Sequence, residues 1–239
     1  LKEQQDKLLI NERYEAWESV ARKLAHEIKN PLTPIQLSID SLREKYKTKL
    51  NQDSKNFENY LETINRQIKD IEKLVNEFSN FARMPRPIFK KIDFIKLINK
   101  SLDFIKLTSK NSIKVIINTS DKFIEGDEDQ LNRVMINLIK NSEEAFEDIK
   151  QKDPNFKGNI NIEISSNNDY IILKLNDNGP GIRDAKKAMT PYFTTKKTGT
   201  GLGLPIVTKI INEHNGVFSI KKNKENTGTI VTISLPKYA

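Results

Sequence analysis

The feature that most restricts this chain is a glycine-free first stretch of 83 residues that carries a long apolar repeat. Ile10, Tyr14, Trp17, Ala21, Leu24 and Ile28 follow one another at spacings of 4, 3, 4, 3 and 4, and Leu32, Ile35, Ile39, Leu42 and Tyr46 resume the alternation. After a polar connection from Lys47 to Asn56, a second seam runs through Phe57, Leu61, Ile64, Ile68, Ile71, Val75, Phe78 and Ala82. Apolar residues alternating three and four apart line one side of an α-helix. The spacing therefore predicts two long helices in an antiparallel hairpin. Such a pair cannot cover both seams alone, and a homodimer forming a four-helix bundle completes the burial. A coiled-coil spacer without chemistry would show the same pattern.

His26 separates those two readings. It lies two residues from both Leu24 and Ile28, roughly 200° around the helix from each, and so faces away from the seam. On position alone it reads as an ordinary surface histidine. Its neighbours add chemistry: Glu27 can accept a proton from one ring nitrogen and leave the other nucleophilic, and Asn30 follows one turn later on the same face. Pro31 and Pro34 remove two backbone donors just beyond, which predicts a kink or local loosening.

Composition excludes several functions. The chain has no cysteine, so disulfides, thiolate catalysis and cysteine-ligated metals are out, and its two histidines are too few for a His-rich metal site. Lys and Arg exceed Asp and Glu by 40 to 32, a net charge of +8, but the lysines are scattered singly or in pairs. That distribution suits a solvated surface and not a nucleic-acid or lipid footprint. No apolar run approaches the ~18 residues of a membrane span. Leu1 at the start, with no signal peptide, reads as a fragment of something longer.

Met84-Pro85-Arg86-Pro87 interrupts the helix and sets the expected boundary, with one domain at 1–84 and a second at 85–239. The second domain mixes periods. Residues 93–109 look helical, Ile113–Thr119 reads as a strand, and a helix runs from Asp127 to about Lys150 with Asp127 as its N-cap. Asn159–Ser166 and Tyr170–Asp177 alternate as strands. A helix after Gly201 and strands at Val217–Lys222 and Thr229–Leu235 close the chain. The expected class is α+β, one helical layer on a mainly antiparallel sheet.

Three places in this domain break local rules. On the helix ending near Lys150, Leu131, Val134, Leu138 and Ala145 form an inward stripe on which Asn141 falls, with Asn137 one turn earlier. A buried amide without a partner costs about 1–3 kcal/mol, so these asparagines need hydrogen bonds or a ligand. An asparagine oxygen is also a hard ligand suited to Mg²⁺ held between phosphates. Asp177 continues the apolar phase of Ile171, Leu173 and Leu175, and a carboxylate on the core side must find donors. The exocyclic amine of adenine is one such donor, and Gly179 and Gly181 let backbone pass close to a flat ring; a plain turn after a strand is the other reading. Last, Lys196-Lys197-Thr198-Gly199-Thr200-Gly201-Leu202-Gly203-Leu204 follows Pro191-Tyr192-Phe193-Thr194-Thr195 and opens a helix, where free N–H groups favour phosphate. Its glycines match neither a P-loop nor a dinucleotide fingerprint.

Taken together these segments resemble the boxes of two-component sensor histidine kinases. His26-Glu27-Ile28-Lys29-Asn30-Pro31 is similar to the H box, Asn137 to Asn141 to the N box, Asp177 to Gly181 to the G1 box, Pro191 to Lys196 to the F box and Gly199 to Leu204 to the G2 box. Their order and spacing hold from roughly residue 15 to the end, and the variants resemble the nitrogen-regulation (NtrB/NtrY) branch. Pro205 stands where that family usually has Ala or Ser, a substitution the first turn of a helix tolerates. The resemblance implies a dimerization and histidine-phosphotransfer hairpin followed by a Bergerat-type α/β sandwich that binds ATP and Mg²⁺. By that analogy His26 receives the γ-phosphoryl group with Glu27 as base, and Asn30 positions water when the regulator is dephosphorylated. Asp177, Gly179 and Gly181 bind adenine, while Asn137 and Asn141 serve the phosphates, Asn141 through Mg²⁺. Phe193, Thr194, Thr195 and Lys196 belong to the lid, and Gly199, Thr200, Gly201, Leu202 and Gly203 contact the phosphates.

The expected function is ATP-dependent autophosphorylation of His26 and phosphotransfer to a response-regulator aspartate. The expected partners are a second copy of the chain and a receiver domain, with no nucleic acid and no direct membrane contact. The expected setting is a cytoplasmic fragment of an inner-membrane sensor. Two other functions fit parts of the pattern: a related ATPase without phosphohistidine, and a non-catalytic dimeric adaptor.

Overall fold

A computed structural model describes residues 28–46, 54–82, 84–107, 109, 111–191, 193–194, 200–223 and 227–238. The chain divides into two compact units between Pro85 and Arg86. Among the described residues no helix is long and apolar enough to cross a membrane.

The first unit contains helix α1, described over 28–46, and helix α2, Ser54–Ala82. Pro31 and Pro34 do not interrupt α1, which is helical at every described residue. Beyond them the hydroxyls of Ser38 and Ser41 donate back to the carbonyls of Pro34 and Leu37, each at 2.8 Å. Of the two seams, Leu32 and Ile39 on α1 pack against Leu61 and Ile68 on α2, with Phe57 beside them. Gln36 Nε2 donates to Asn65 Oδ1 at 2.9 Å and Arg43 pairs with Glu58 at 2.8 Å, which fixes the register of the hairpin. The alternate seam positions Ile35, Leu42, Ile64 and Ile71 remain 40–44% exposed. One half of the repeat is thus used inside the hairpin and the other half faces outward.

The second unit opens with strand β1 (Lys90–Asp93) and helix α3 (Phe94–Lys106), then β2 (Ser112–Ile117), β3 (Phe123–Gly126) and α4 (Glu128–Lys150). There follow β4 (Asn159–Ser166), β5 (Tyr170–Asp177), the short α5 (Ala185–Ala188), α6 (Gly203–Glu213), β6 (Val217–Lys222) and β7 (Thr229–Pro236). Five strands make one sheet in the order β2-β4-β5-β7-β6. It is mixed: β2 and β4 are parallel, across a connection that holds β3 and α4, and the other pairs are antiparallel. Alternation explains the central strands, where Ile160, Ile162 and Ile164, then Ile171, Leu173 and Leu175, then Val231, Ile233 and Leu235 are buried on one side. The helical layer carries the matching stripes, Leu97, Ile98 and Leu102 on α3, Leu131, Val134, Met135, Leu138 and Ile139 on α4, and Ile206, Val207, Ile210 and Ile211 on α6.

Two details depart from the sequence reading. The two-stranded sheet of β1 and β3 was not expected; it joins Lys90 to Gly126 and Asp93 to Phe123 in antiparallel register. The predicted helix 93–109 is shorter at both ends: Asp93 stays extended and caps it, its Oδ1 accepting from the Lys96 N–H at 3.0 Å, and Lys106 is its last residue. Asp127 caps α4 as expected, accepting from the Gln130 N–H at 3.1 Å.

Candidate active site

The site of the second unit grows from the end of β5. The alternation that buries Ile171, Leu173 and Leu175 also delivers Asp177 to the core side, where it is buried. Three elements supply its donors. Oδ1 accepts from the backbone N–H of Gly179 at 2.9 Å and of Thr229, at the start of β7, at 3.1 Å. Oδ2 lies 3.3 Å from Ser142 Oγ on α4. Burial pushes the carboxyl above its ordinary value, opposed by the bonds from Gly179, Thr229 and Ser142. The result is a buried, oriented acceptor at a strand end.

Two glycines make that approach sterically feasible. Gly228 has φ +123°, and a β-carbon there would collide with the carbonyl of Asp177. Gly181 has φ +79°, and a β-carbon would come within 2.8 Å of the Gly228 carbonyl oxygen. The turn after β5 and the start of β7 therefore interlock through two residues that only glycine accommodates without strain.

The asparagines meet the glycine loop. Asn137 Nδ2 donates back to the Arg133 carbonyl at 2.8 Å. A β-carbon at Gly203 would lie 3.4 Å from Asn137 Oδ1 and 3.5 Å from both amide atoms of Asn141. The first turn of α6 is thus set against both amides, as α4 and α6 pack side by side. Gly201 reaches φ +69° just before it, and Leu202 is buried and starts the helix without a side-chain cap. An uncapped helix start presents N–H groups and positive dipole to an anion. Pro205, the third residue of α6, costs nothing there, because the first N–H groups have no intrahelical acceptor.

Two family models match the chain: the His Kinase A (phospho-acceptor) domain over residues 16–87, and the histidine kinase-, DNA gyrase B- and HSP90-like ATPase over residues 126–239. A putative NtrY-like sensor histidine kinase of Rickettsia prowazekii is 39% identical over 98% of the chain and 38% of its own length. The chain belongs to the two-component sensor histidine kinases. The nitrogen regulation protein NtrY of Azorhizobium caulinodans is 35% identical over 95% of the chain and 30% of its own length. The chain therefore spans less than two fifths of either relative. Among solved structures, the histidine kinase ThkA in complex with the response regulator protein TrrA superposes with a TM-score of 0.65 at 21% identity, over 100% of this chain and 67% of that one. The ATPase match makes the second unit of this kinase core an ATP-binding domain.

Of the residues the sequence singled out, Asp177, Gly179, Gly181, Asn137, Asn141 and Gly203 fall into one site. Thr200, Gly201 and Leu202 lead into it, and Phe193 and Thr194 are exposed on the segment before. Thr195, Lys196, Gly199, His26 and Glu27 lie outside the described residues, and Asn30 is exposed on α1. One expectation needs correcting. The stripe of α4 buries Leu138, Ser142 and Phe146, while Asn141 and Ala145 lie at its half-buried shoulder. The buried polar side chain of that helix beside the carboxylate is Ser142, which sequence reasoning missed along with Thr229 and Gly228.

Proposed function

We propose that this chain transfers the γ-phosphoryl group of ATP to His26 and passes it on to an aspartate of a response-regulator receiver domain. The observation that carries the reading is one chain holding both halves of the chemistry. A phospho-acceptor match contains His26-Glu27, and the second unit gathers a buried carboxylate, two asparagine amides and an open helix start.

Each residue has a task in that reaction. Asp177 accepts from the exocyclic amine of adenine, which a keto base would not offer, while Gly179 and Gly181 line the ring. Gly203 and its neighbours bring backbone N–H groups to the phosphates, which carry the charge that phosphoryl transfer must neutralise. The donor set also fits Mg²⁺. Among the described residues no group of three carboxylates or histidines could hold a metal, and Mg²⁺ with nucleotides prefers one or two protein oxygens plus phosphates and water. Asn141 would be that oxygen ligand, and the ion when bound would neutralise phosphate charge. At His26 the lone-pair nitrogen attacks the γ-phosphorus and the bond to the β–γ bridging oxygen breaks, releasing ADP. Glu27 takes the proton from the other ring nitrogen, which leaves an uncharged imidazole ring bearing the anionic phosphoryl group. Asn30, exposed one turn on, orients water for the reverse task of dephosphorylating the regulator.

The exposed half of the hairpin seam supports a homodimer. The need for ATP favours the cytoplasmic side for this core. The test is incubation with γ-labelled ATP and Mg²⁺ beside His26→Ala. Label that is acid-labile, alkali-stable and lost in the variant is expected. Tight ADP binding with no label in the wild type would point instead to an ATPase without phosphohistidine.

A further inference from the structure

Helix α4 holds one polar side chain that has two acceptors for a single proton. Ser142 is 4% exposed. Its Oγ lies 3.3 Å from the Leu138 carbonyl, one turn back, and also 3.3 Å from Asp177 Oδ2. A hydroxyl has one hydrogen to donate. The Leu138 carbonyl is a neutral acceptor of the kind that serine hydroxyls use by default in helices. An ionised carboxylate is the stronger acceptor, by roughly a factor of two in hydrogen-bond strength. The hydroxyl proton therefore belongs to Oδ2 whenever Asp177 is charged.

The two carboxylate oxygens are not equivalent. Oδ1 is taken by two backbone N–H groups, from Gly179 and Thr229. Oδ2 is the oxygen that Ser142 touches and accepts no backbone N–H of Gly179 or Thr229. Rotation about the Asp177 side chain is limited at Oδ1 by rigid backbone and at Oδ2 by the Ser142 hydroxyl, and the side chain of Thr229 adds a further bond to the carboxylate.

We propose that Ser142 is a positioning residue for purine recognition, its hydroxyl aiming Asp177 Oδ2 at the exocyclic amine and so setting the preference for a 6-amino base. The inference rests on the reading of Asp177 as the adenine acceptor. It assigns Ser142 no contact with the phosphates and no part in the transfer to His26.

The test compares ADP with purine riboside 5′-diphosphate, which lacks only the 6-amino group, by calorimetric titration of the wild-type chain and of Ser142→Ala. Neither ligand can phosphorylate the protein, so binding alone is read. The wild type is expected to prefer ADP by roughly tenfold or more, the value of a hydrogen bond to a charged acceptor. In Ser142→Ala, ADP affinity should fall about three- to tenfold while affinity for the desamino ligand stays within about twofold. Equal losses for both ligands would show a merely structural role and overturn the inference, as would no loss for either. A wild type that does not distinguish the two ligands would overturn the Asp177 reading itself, and the inference with it.

Discussion

Around Asp177 the positions of two glycines decide different things. Gly228 packs its α-carbon against the Asp177 backbone at φ +123°, so an alanine there meets both a hard collision and a forbidden dihedral. Gly228→Ala should destabilise the second unit by about 3 kcal/mol or more, read as a large fall in melting temperature without nucleotide. Gly179 has ordinary space except toward the carboxylate, where a β-carbon would sit 3.0 Å from Asp177 Oδ1. Gly179→Ala should leave the melting temperature within a few degrees and weaken ADP binding about tenfold; a variant that binds normally would remove Gly179 from the site. Sequence alone separated these residues poorly. Asp177 was legible because a charged residue in the apolar phase of a strand must find donors, although a plain turn after the strand competed with that reading. Gly228, in Thr227-Gly228-Thr229, looks like any turn before a strand, and its collision partner lies some fifty residues earlier. The slip at Asn141 has a geometric origin. From Leu138 a step of three turns the helix to about −60° and a step of four to about +40°, so either Asn141 or Ser142 can continue an inward stripe, and only packing against β5 selects Ser142.

Among elements, the lasting question is what holds α4 and α6, which carry the asparagines and the glycine loop, in one register. His214, at the C-terminal end of α6 and buried, joins them. Its Nδ1–H donates to the Ile210 carbonyl at 2.8 Å, and Nε2 accepts from the Asp127 N–H, the N-cap of α4, at 2.9 Å. Phe89 lies against the ring at 5.2 Å, and Ile88 N–H donates to Asp127 Oδ2 at 2.8 Å. Burial pushes the imidazole below its ordinary value of 6.5, opposed by the Ile210 bond and the charge of Asp127. The fold thus keeps His214 neutral while the unfolded chain takes a proton near 6.5, so its contribution is present above that pH and is lost as pH falls from there toward the folded value. Urea midpoints should drop from pH 7.5 to pH 5.5, and His214→Gln, weaker at pH 7.5 by about 1–3 kcal/mol, should show a smaller drop. A variant with the wild-type slope would exclude His214 as the titrating group. Asp177 works with the opposite sign, since its raised value makes the folded state gain stability as pH falls toward and through it; the difference between wild type and His214→Gln cancels that part. Asn215-Gly216 directly behind His214 is the usual stop of a helix, so its place at a helix end follows from sequence. Its bond to Asp127, far earlier in the chain, does not, and neither does the pairing of β1 with β3, whose four-residue strands are too short to show a period.

At the scale of the whole molecule the hairpin remains half satisfied. Ile35 and Leu42 on α1 and Ile64 and Ile71 on α2 continue the repeat that buries Leu32, Ile39, Leu61 and Ile68, yet stay 40–44% exposed. A periodic apolar line across two adjacent helices is the geometry of a bundle seam, and a second copy offers the same line by symmetry. Each of these side chains has about 1 kcal/mol of burial still to gain. Four from each copy come to about 8 kcal/mol, which leaves about 4 kcal/mol after the smallest association costs; a charge placed in the line enters the symmetric pair twice, so one substitution should suffice to break it. Light scattering of the purified chain at concentrations raised to about a millimolar should show the mass of a dimer appearing, and Ile64→Glu that of a monomer throughout. Because Ile64 is a residue of the hairpin, ADP affinity of the second unit should be unchanged in the same variant. A wild type that stays monomeric at these concentrations would refute the bundle and leave the exposed line to a different partner; a dimeric Ile64→Glu would move the seam elsewhere on the chain.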